Sequence, residues 1–125
     1  MPHVSSIGGG QAQARGRTWV TENTVTLAAL GVYTTEAVQI IGLPNCMWWF
    51  YQTVGAAGAS VQLQFAGSIA QGPVINWKPL IAPIALTLLT PSLTTNVLPV
   101  RWIRAIITAP AGNGVTFDYH IGGVA

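Results

Sequence analysis

Apolar and polar residues alternate along much of this chain in short runs, and Val61-Gln-Leu-Gln-Phe65 does so without exception. A strand with one buried and one wet face has this period of two, so Gln62 and Gln64 are expected to face outward. The same period places Ile103, Ala105 and Ile107 on one face of a run, and Val115, Phe117, Tyr119 and Ile121 on one face of the next. Between them lie Pro110 and Gly112-Asn-Gly114, which are strong turn signals. The pattern therefore predicts a C-terminal hairpin whose two apolar sets share a face. A slip of one residue would bury Asp118 and His120, so the faces select the pairing. In that hairpin Arg104 stands opposite Asp118 or His120, and the three form a cross-strand polar face.

The rest of the chain reads the same way. Trp19-Val20 and Val25 to Leu30 predict two short strands separated by a turn at Glu22-Asn-Thr24, followed by a weaker strand from Glu36 to Ile41. Cys46 to Val54 is apolar on both sides, with Met47, Trp49 and Tyr51 on one and Trp48, Phe50 and Val54 on the other. Such a strand is covered on both faces. The alternation does not say which set points inward, so either Trp48 and Phe50 or Trp49 and Tyr51 remain for a neighbouring subunit. Val74 to Lys78 and Ile84 to Thr90 give further strands, and Pro91 to Asn96 reads as a loop. Residues 1–17, rich in Gly, Ser, Gln and Ala, show no face to bury and read as a flexible arm. No stretch of helical length escapes Gly, Pro or β-branched residues. The expected fold is an all-β, jelly-roll-like antiparallel sandwich of about eight short strands, formed by residues 18–125 as a single domain.

Half of the 125 residues are hydrophobic and 6% are charged, against about 25% in ordinary soluble domains. A chain so short of charge is expected to hide much of its exterior against other chains. Its formal charge of +2 comes from scattered groups, so the clustered field that nucleic acid requires is missing. Leu80 to Leu89 is interrupted by Pro83 and falls short of the roughly 20 residues of a membrane span. The N-terminal residues lack the apolar core of a signal peptide, and secretion is not expected. Cys46 is the only cysteine and is expected to be a buried small hydrophobe.

Little in the chain carries chemistry. Asp118 and His120 share a strand face and could begin a metal site with His3 or Cys46, but with three acids, two histidines and one cysteine in all, a solvated polar face is the preferred reading. Hydrolytic catalysis needs a base near a nucleophile, and the chain offers two histidines, one of them in the arm, so no catalytic residue, no metal and no cofactor is expected, and the protein is read as a non-enzyme. Gly8-Gly-Gly10 lacks the Lys-Ser/Thr of a phosphate loop and reads as a linker. Arg15 and Arg17 give too few charges for firm nucleic-acid binding, and an arm that carries them across a neighbour's acidic patch is an equal alternative. Trp19, Trp49, Tyr51, Trp77 and Trp102 are the aromatic candidates for a subunit or shell interface. A small-molecule ligand is not expected. The rival reading, that these rings stack sugars, also needs amides or charges to hold hydroxyls.

Val61-Gln-Leu-Gln-Phe-Ala-Gly-Ser68 followed by Trp77, and Arg101-Trp-Ile-Arg104 in a late strand, resemble small β-sandwich virion proteins of tailed bacteriophages, of the head decoration or cement type. The resemblance covers roughly residues 60–122. In that group an outward-alternating strand enters a Gly-Ser-x-Asp-Gly turn, a Trp follows, and an Arg-aromatic-x-Arg strand comes late. Here Ala70-Gln71 stand where the pattern has Asp, so no role of that carboxylate is carried over. The resemblance implies a capsid decoration protein that is assembled in the host cytoplasm and resides on the virion. Its partners would be itself, as a homotrimer, and a major capsid or other virion protein. The alternative is a carbohydrate-binding module or a tail or fibre adhesion protein.

Overall fold

A computed structural model describes residues 11–14, 17–40, 43–55, 58–68, 77–98 and 100–125. Among these the regular elements are all strands: β1 (Gln11–Ala14), β2 (Arg17–Leu27), β3 (Val32–Thr34), β4 (Val38–Gln39), β5 (Asn45–Val54), β6 (Ser60–Ser68), β7 (Trp77–Pro79), β8 (Ile84–Ala85), β9 (Ser92–Val97), β10 (Val100–Thr108) and β11 (Val115–Val124). They form two antiparallel sheets. The first has the order β1-β2-β11-β5-β9, and the second β3-β10-β6-β7, with β4 also on β10 and β8 also on β6.

The pairing is nested. β2 pairs with β11, β3 and β4 with β10, β5 with β9, and β6 with β7 and β8. Counting β3 with β4 and β7 with β8 as interrupted single strands, this is the eight-strand jelly roll, a long hairpin folded over on itself into two sheets. β1 is an addition at the edge of the first sheet. Thr35 shows why β3 and β4 are separate: its N–H donates to the Ala105 carbonyl and its side-chain oxygen accepts from the Ala105 N–H, both at 2.9 Å. The side chain thus takes one ladder bond that a regular strand would give to its backbone.

The core lies between the sheets. Trp48, Phe50, Phe117, Tyr119 and Ile121 come from the first, and Val61, Leu63, Ile103, Ala105 and Ile107 from the second, all essentially without exposed surface. The open question about β5 is thereby answered: Trp48 and Phe50 point inward, and Trp49 and Tyr51 outward. Phe50 and Phe117 flank Tyr119 at 6.3 and 6.2 Å between ring centroids. Burying a large ring is worth about 4–6 kcal/mol before entropy. Gln52 is also buried, with Nε2 donating to the Gly55 carbonyl at 3.0 Å.

Several expectations change. β10 and β11 do not form a hairpin, because they lie in opposite sheets. The predicted apolar sets do face each other, but across the core. Alternation specifies an inward face and is blind to whether the partner face lies alongside or about 10 Å away in a second sheet. The turn expected at Glu22-Asn-Thr24 is a β-bulge inside one continuous β2: Phe117 is opposite Val25 and Tyr119 opposite Glu22, so Asn23 and Thr24 together oppose Asp118. Most of the loop expected from Pro91 to Asn96 belongs to the edge strand β9, which runs on to Val97 and whose side chains alternate half-buried and exposed. The strand expected at Ile84 to Thr90 is regular only at β8. Within the segment expected as an arm, Gln11–Ala14 pair with β2 and Arg17 opens it. Short uncharged segments satisfy their backbone by adding to an available edge. Residues 1–10 and most of the expected strand from Val74 lie outside the described residues. No helix among the described residues is long and apolar enough to cross a membrane.

Candidate functional site: an aromatic face on the first sheet

Because inward and outward residues alternate, filling the core with Trp48 and Phe50 forces Met47, Trp49 and Tyr51 onto the outer face of β5. The register then brings neighbours beside them. Thr21, His120, Trp49 and Leu93 form one row across β2, β11, β5 and β9, and Trp19, Gly122, Met47 and Thr95 form the next. Trp49 and Tyr51 lie nearly parallel, 5.9 Å between centroids and 17° between planes. Trp19 and His120 lie 6.5 Å apart at 23°. The Arg17 guanidinium sits 6.0 Å from the Trp19 ring centre.

Gly122 leaves the middle of this face low. A Cβ there would come within 2.8 Å of the Thr18 carbonyl oxygen and 2.9 Å of Trp19 Cβ, so the strands approach where no side chain intervenes. Met47, Trp49, Leu93 and His120 line an open depression of about 430 Å³ beside it. Met47, Leu93 and Val97 are 36%, 60% and 71% exposed. Together they extend the aromatic row into an apolar surface that runs to the sheet edge.

His120 is the titratable group in the middle. Thr21 Oγ1 and His120 Nδ1 are 2.7 Å apart, in hydrogen-bond contact. Burial holds the imidazole below its usual pKa, and the Arg17 charge adds to the effect. Near neutral pH it is therefore an uncharged member of the platform. Asp118, on the same strand face, accepts a hydrogen bond from the Thr24 N–H at 2.7 Å. Among the described residues no group of three or more His, Cys, Asp or Glu lies together.

Arg104 is on the other side of the molecule. Its Nε donates to Gln64 Oε1 at 2.8 Å, and its guanidinium lies 4.1 Å from the Trp77 ring centre. The expected polar face of Arg104, Asp118 and His120 is thus divided between two sheets, because β10 and β11 are not neighbours. Trp77 and Trp102 flank the buried Ala66 on that second outer face. Of the interface candidates, Trp19, Trp49, Tyr51 and Arg17 come together on the first sheet, Trp77 and Trp102 are apart from them, and Arg15 lies outside the described residues. Leu93, Val97 and Gly122 belong to the face and were not anticipated. The alternation of Leu93, Thr95 and Val97 was the available signal, obscured by Pro91 and Asn96.

The arrangement defines a jelly-roll β-sandwich with an aromatic outer face that carries Arg17 beside Trp19 and Asp118 beside the β2 bulge. No protein-family model matches the chain, and no curated protein matches it. Similar solved structures include a chain of infectious bursal disease virus Gt strain, at 13% identity and a TM-score of 0.46, where the match covers 86% of this chain and 32% of the viral one. This chain thus spans about a third of that viral chain. A Bacillus endospore appendage, from a family of disulfide-linked pili, is similar at 12% identity and a TM-score of 0.43 over 99% of this chain and 98% of the other. A carbohydrate-binding module of Cellvibrio mixtus lichenase 5A, solved with cellotriose, is similar at 15% identity and 0.40, covering 94% and 88%.

Proposed function

We propose that the protein is a non-enzymatic structural subunit of a virion, of the decoration type, that associates with itself and with a shell protein through its apolar surfaces. The observation that carries this reading is the outer face of the first sheet, where Trp19, Met47, Trp49 and Leu93 lie side by side around His120. Aromatic residues and Met are enriched at the centres of protein interfaces, where charge is depleted. Leaving such a surface wet forfeits the stabilisation that its burial would provide. The low charge of the whole chain points the same way.

The test is retention on particles. Trp49→Ala and Leu93→Ala should each leave the circular-dichroism spectrum of the domain unchanged while lowering its affinity for the source particle at least tenfold, as expected for central interface residues. Full retention by both variants would sink the reading.

One observation favours a second reading. Trp49 and Tyr51 stand beside each other on an outward face with their planes nearly parallel, and outward aromatic rings are the groups that stack on sugar rings. Saturable quenching of Trp fluorescence by a polysaccharide, lost in Trp49→Ala, would favour the carbohydrate-binding alternative.

A further inference from the structure

β9 closes one side of the first sheet, pairing with β5 and with no other strand among the described residues. Edge strands in stable monomers are usually blunted by charge, by proline, by a bulge or by a covering segment. Ser92-Leu-Thr-Thr-Asn-Val97 contains neither a charged residue nor a proline, and its register on β5 is unbroken.

The direction of its free backbone groups follows from two bonds. The Leu98 N–H donates to the Pro44 carbonyl at 2.7 Å, one step beyond the Asn45–Val97 pair, and the Gln52 carbonyl accepts from the Leu89 N–H on the same side of β5. In an antiparallel ladder hydrogen-bonded and non-bonded pairs alternate. Leu98, Asn96, Thr94 and Ser92 therefore turn toward β5, and Leu93, Thr95 and Val97 turn their N–H and C=O groups to the open edge. Those same residues carry the exposed side chains, with Leu93 60% and Val97 71% exposed.

We propose that this edge pairs with β9 of a second copy about a two-fold axis through Thr95, fusing the two first sheets into one. The inference deepens the assembly reading above and rests on it. Joining the sheets so that core faces stay on one side requires each outer-face residue to meet an outer-face residue. Of the two-fold registers that obey this rule, the one centred on Thr95 sets Leu93 opposite Val97, Thr95 opposite Thr95, and Val97 opposite Leu93. It engages every outward N–H and C=O of β9. Centring on Leu93 or Val97 breaks this match, and a one-residue shift to Thr94 as centre leaves Val97 opposite Pro91, which has no N–H to give. The contact is isologous, so the same patch serves both copies. It also joins the two aromatic faces, since Leu93 adjoins Trp49 in its own sheet.

The experiment uses the full chain. In a hydrogen-bonded antiparallel pair the Cβ atoms are about 5.5 Å apart, slightly beyond the roughly 3.5–4.5 Å of a disulfide, so a short bifunctional thiol reagent is the suitable linker. Thr95→Cys should therefore give a covalently linked dimer with that reagent. Leu93→Cys should not, because it faces Val97 of the other copy. Buried Cys46 is common to both variants and to the unmodified chain, which serves as control. In native mass measurement at micromolar concentration the unmodified chain should be a dimer or a multiple of one, and Leu93→Lys with Val97→Lys should halve that mass with the circular-dichroism spectrum intact. A trimer, equal cross-linking at both positions, or an oligomer untouched by the lysines overturns the β9 contact while leaving the assembly reading standing. A monomer that also fails to bind particles removes both.

Discussion

The backbone N–H of Thr24 on β2 donates to Asp118 Oδ1 on β11 at 2.7 Å. Thr24 sits at φ 59°, in the left-handed region, within the bulge where two residues of β2 oppose one of β11. A β-branched residue there is strained, and the carboxylate meets an N–H that the interrupted ladder would otherwise leave to solvent. Asp118→Ala is expected to lower stability by about 1–2 kcal/mol. Thr24→Asn, which keeps the donor and relieves the backbone, is expected to raise it by about 1 kcal/mol. Urea titration of both variants checks the opposite signs.

Gly123 is packed from the inside. A Cβ there would lie 2.7 Å from Ile40 Cγ2 and 3.1 Å from Ile40 Cβ, and Ile40 is 1% exposed. The isoleucine is held by the core and has little room to yield. Gly123→Ala is expected to cost about 1–3 kcal/mol, seen as a lower midpoint in thermal or denaturant unfolding.

His120 makes stability fall on the acid side. Its folded pKa is held below the ordinary value, first by burial and then by Arg17. The unfolded chain therefore binds this proton more readily. The associated stability is fully present above the unfolded value of about 6.5 and is lost as pH falls through the lower folded value. Thr21, Trp19 and Arg17 on β2 and Trp49 on β5 lie around the ring, and Asp118 shares its strand face; burial and the Arg17 charge set the downward direction. Melting temperature should decline as pH falls below about 6.5. The decline should be shallower in His120→Gln.

Cys46 is buried, its Sγ lies 3.8 Å from the Pro44 carbonyl oxygen, and burial pushes the thiol up to about 11. The thiolate is the reactive form. Native protein at pH 8 should react slowly with an aromatic disulfide reagent. In denaturant the same thiol should react at the rate of a free cysteine. Rapid reaction of the native protein would contradict its placement in the core.

Alternation along the chain specified which residues face inward on most strands and, from that, the fold class. Val61 and Leu63, then Ile103, Ala105 and Ile107, then Val115, Phe117, Tyr119 and Ile121 are all buried as their period of two requires, because alternation is a local property of an extended chain. It also showed the aromatic surplus of Cys46 to Val54, since two faces of large side chains cannot both enter one core. Partner choice was decided only in three dimensions. β10 and β11 present the same apolar face whether they lie side by side or opposite each other, and the nested closure of the jelly roll separates them. Arg104 consequently meets Trp77 and Gln64, while Asp118 meets the β2 bulge. Tertiary structure likewise decided that Trp48 points in and Trp49 out, and that Ser92 to Val97 is a strand, because β5 supplies the backbone partners that this polar, proline-flanked segment lacks by itself. The candidate face needed both levels: its rings are legible one at a time along the chain, and only the register sets Trp49 beside His120 and Leu93.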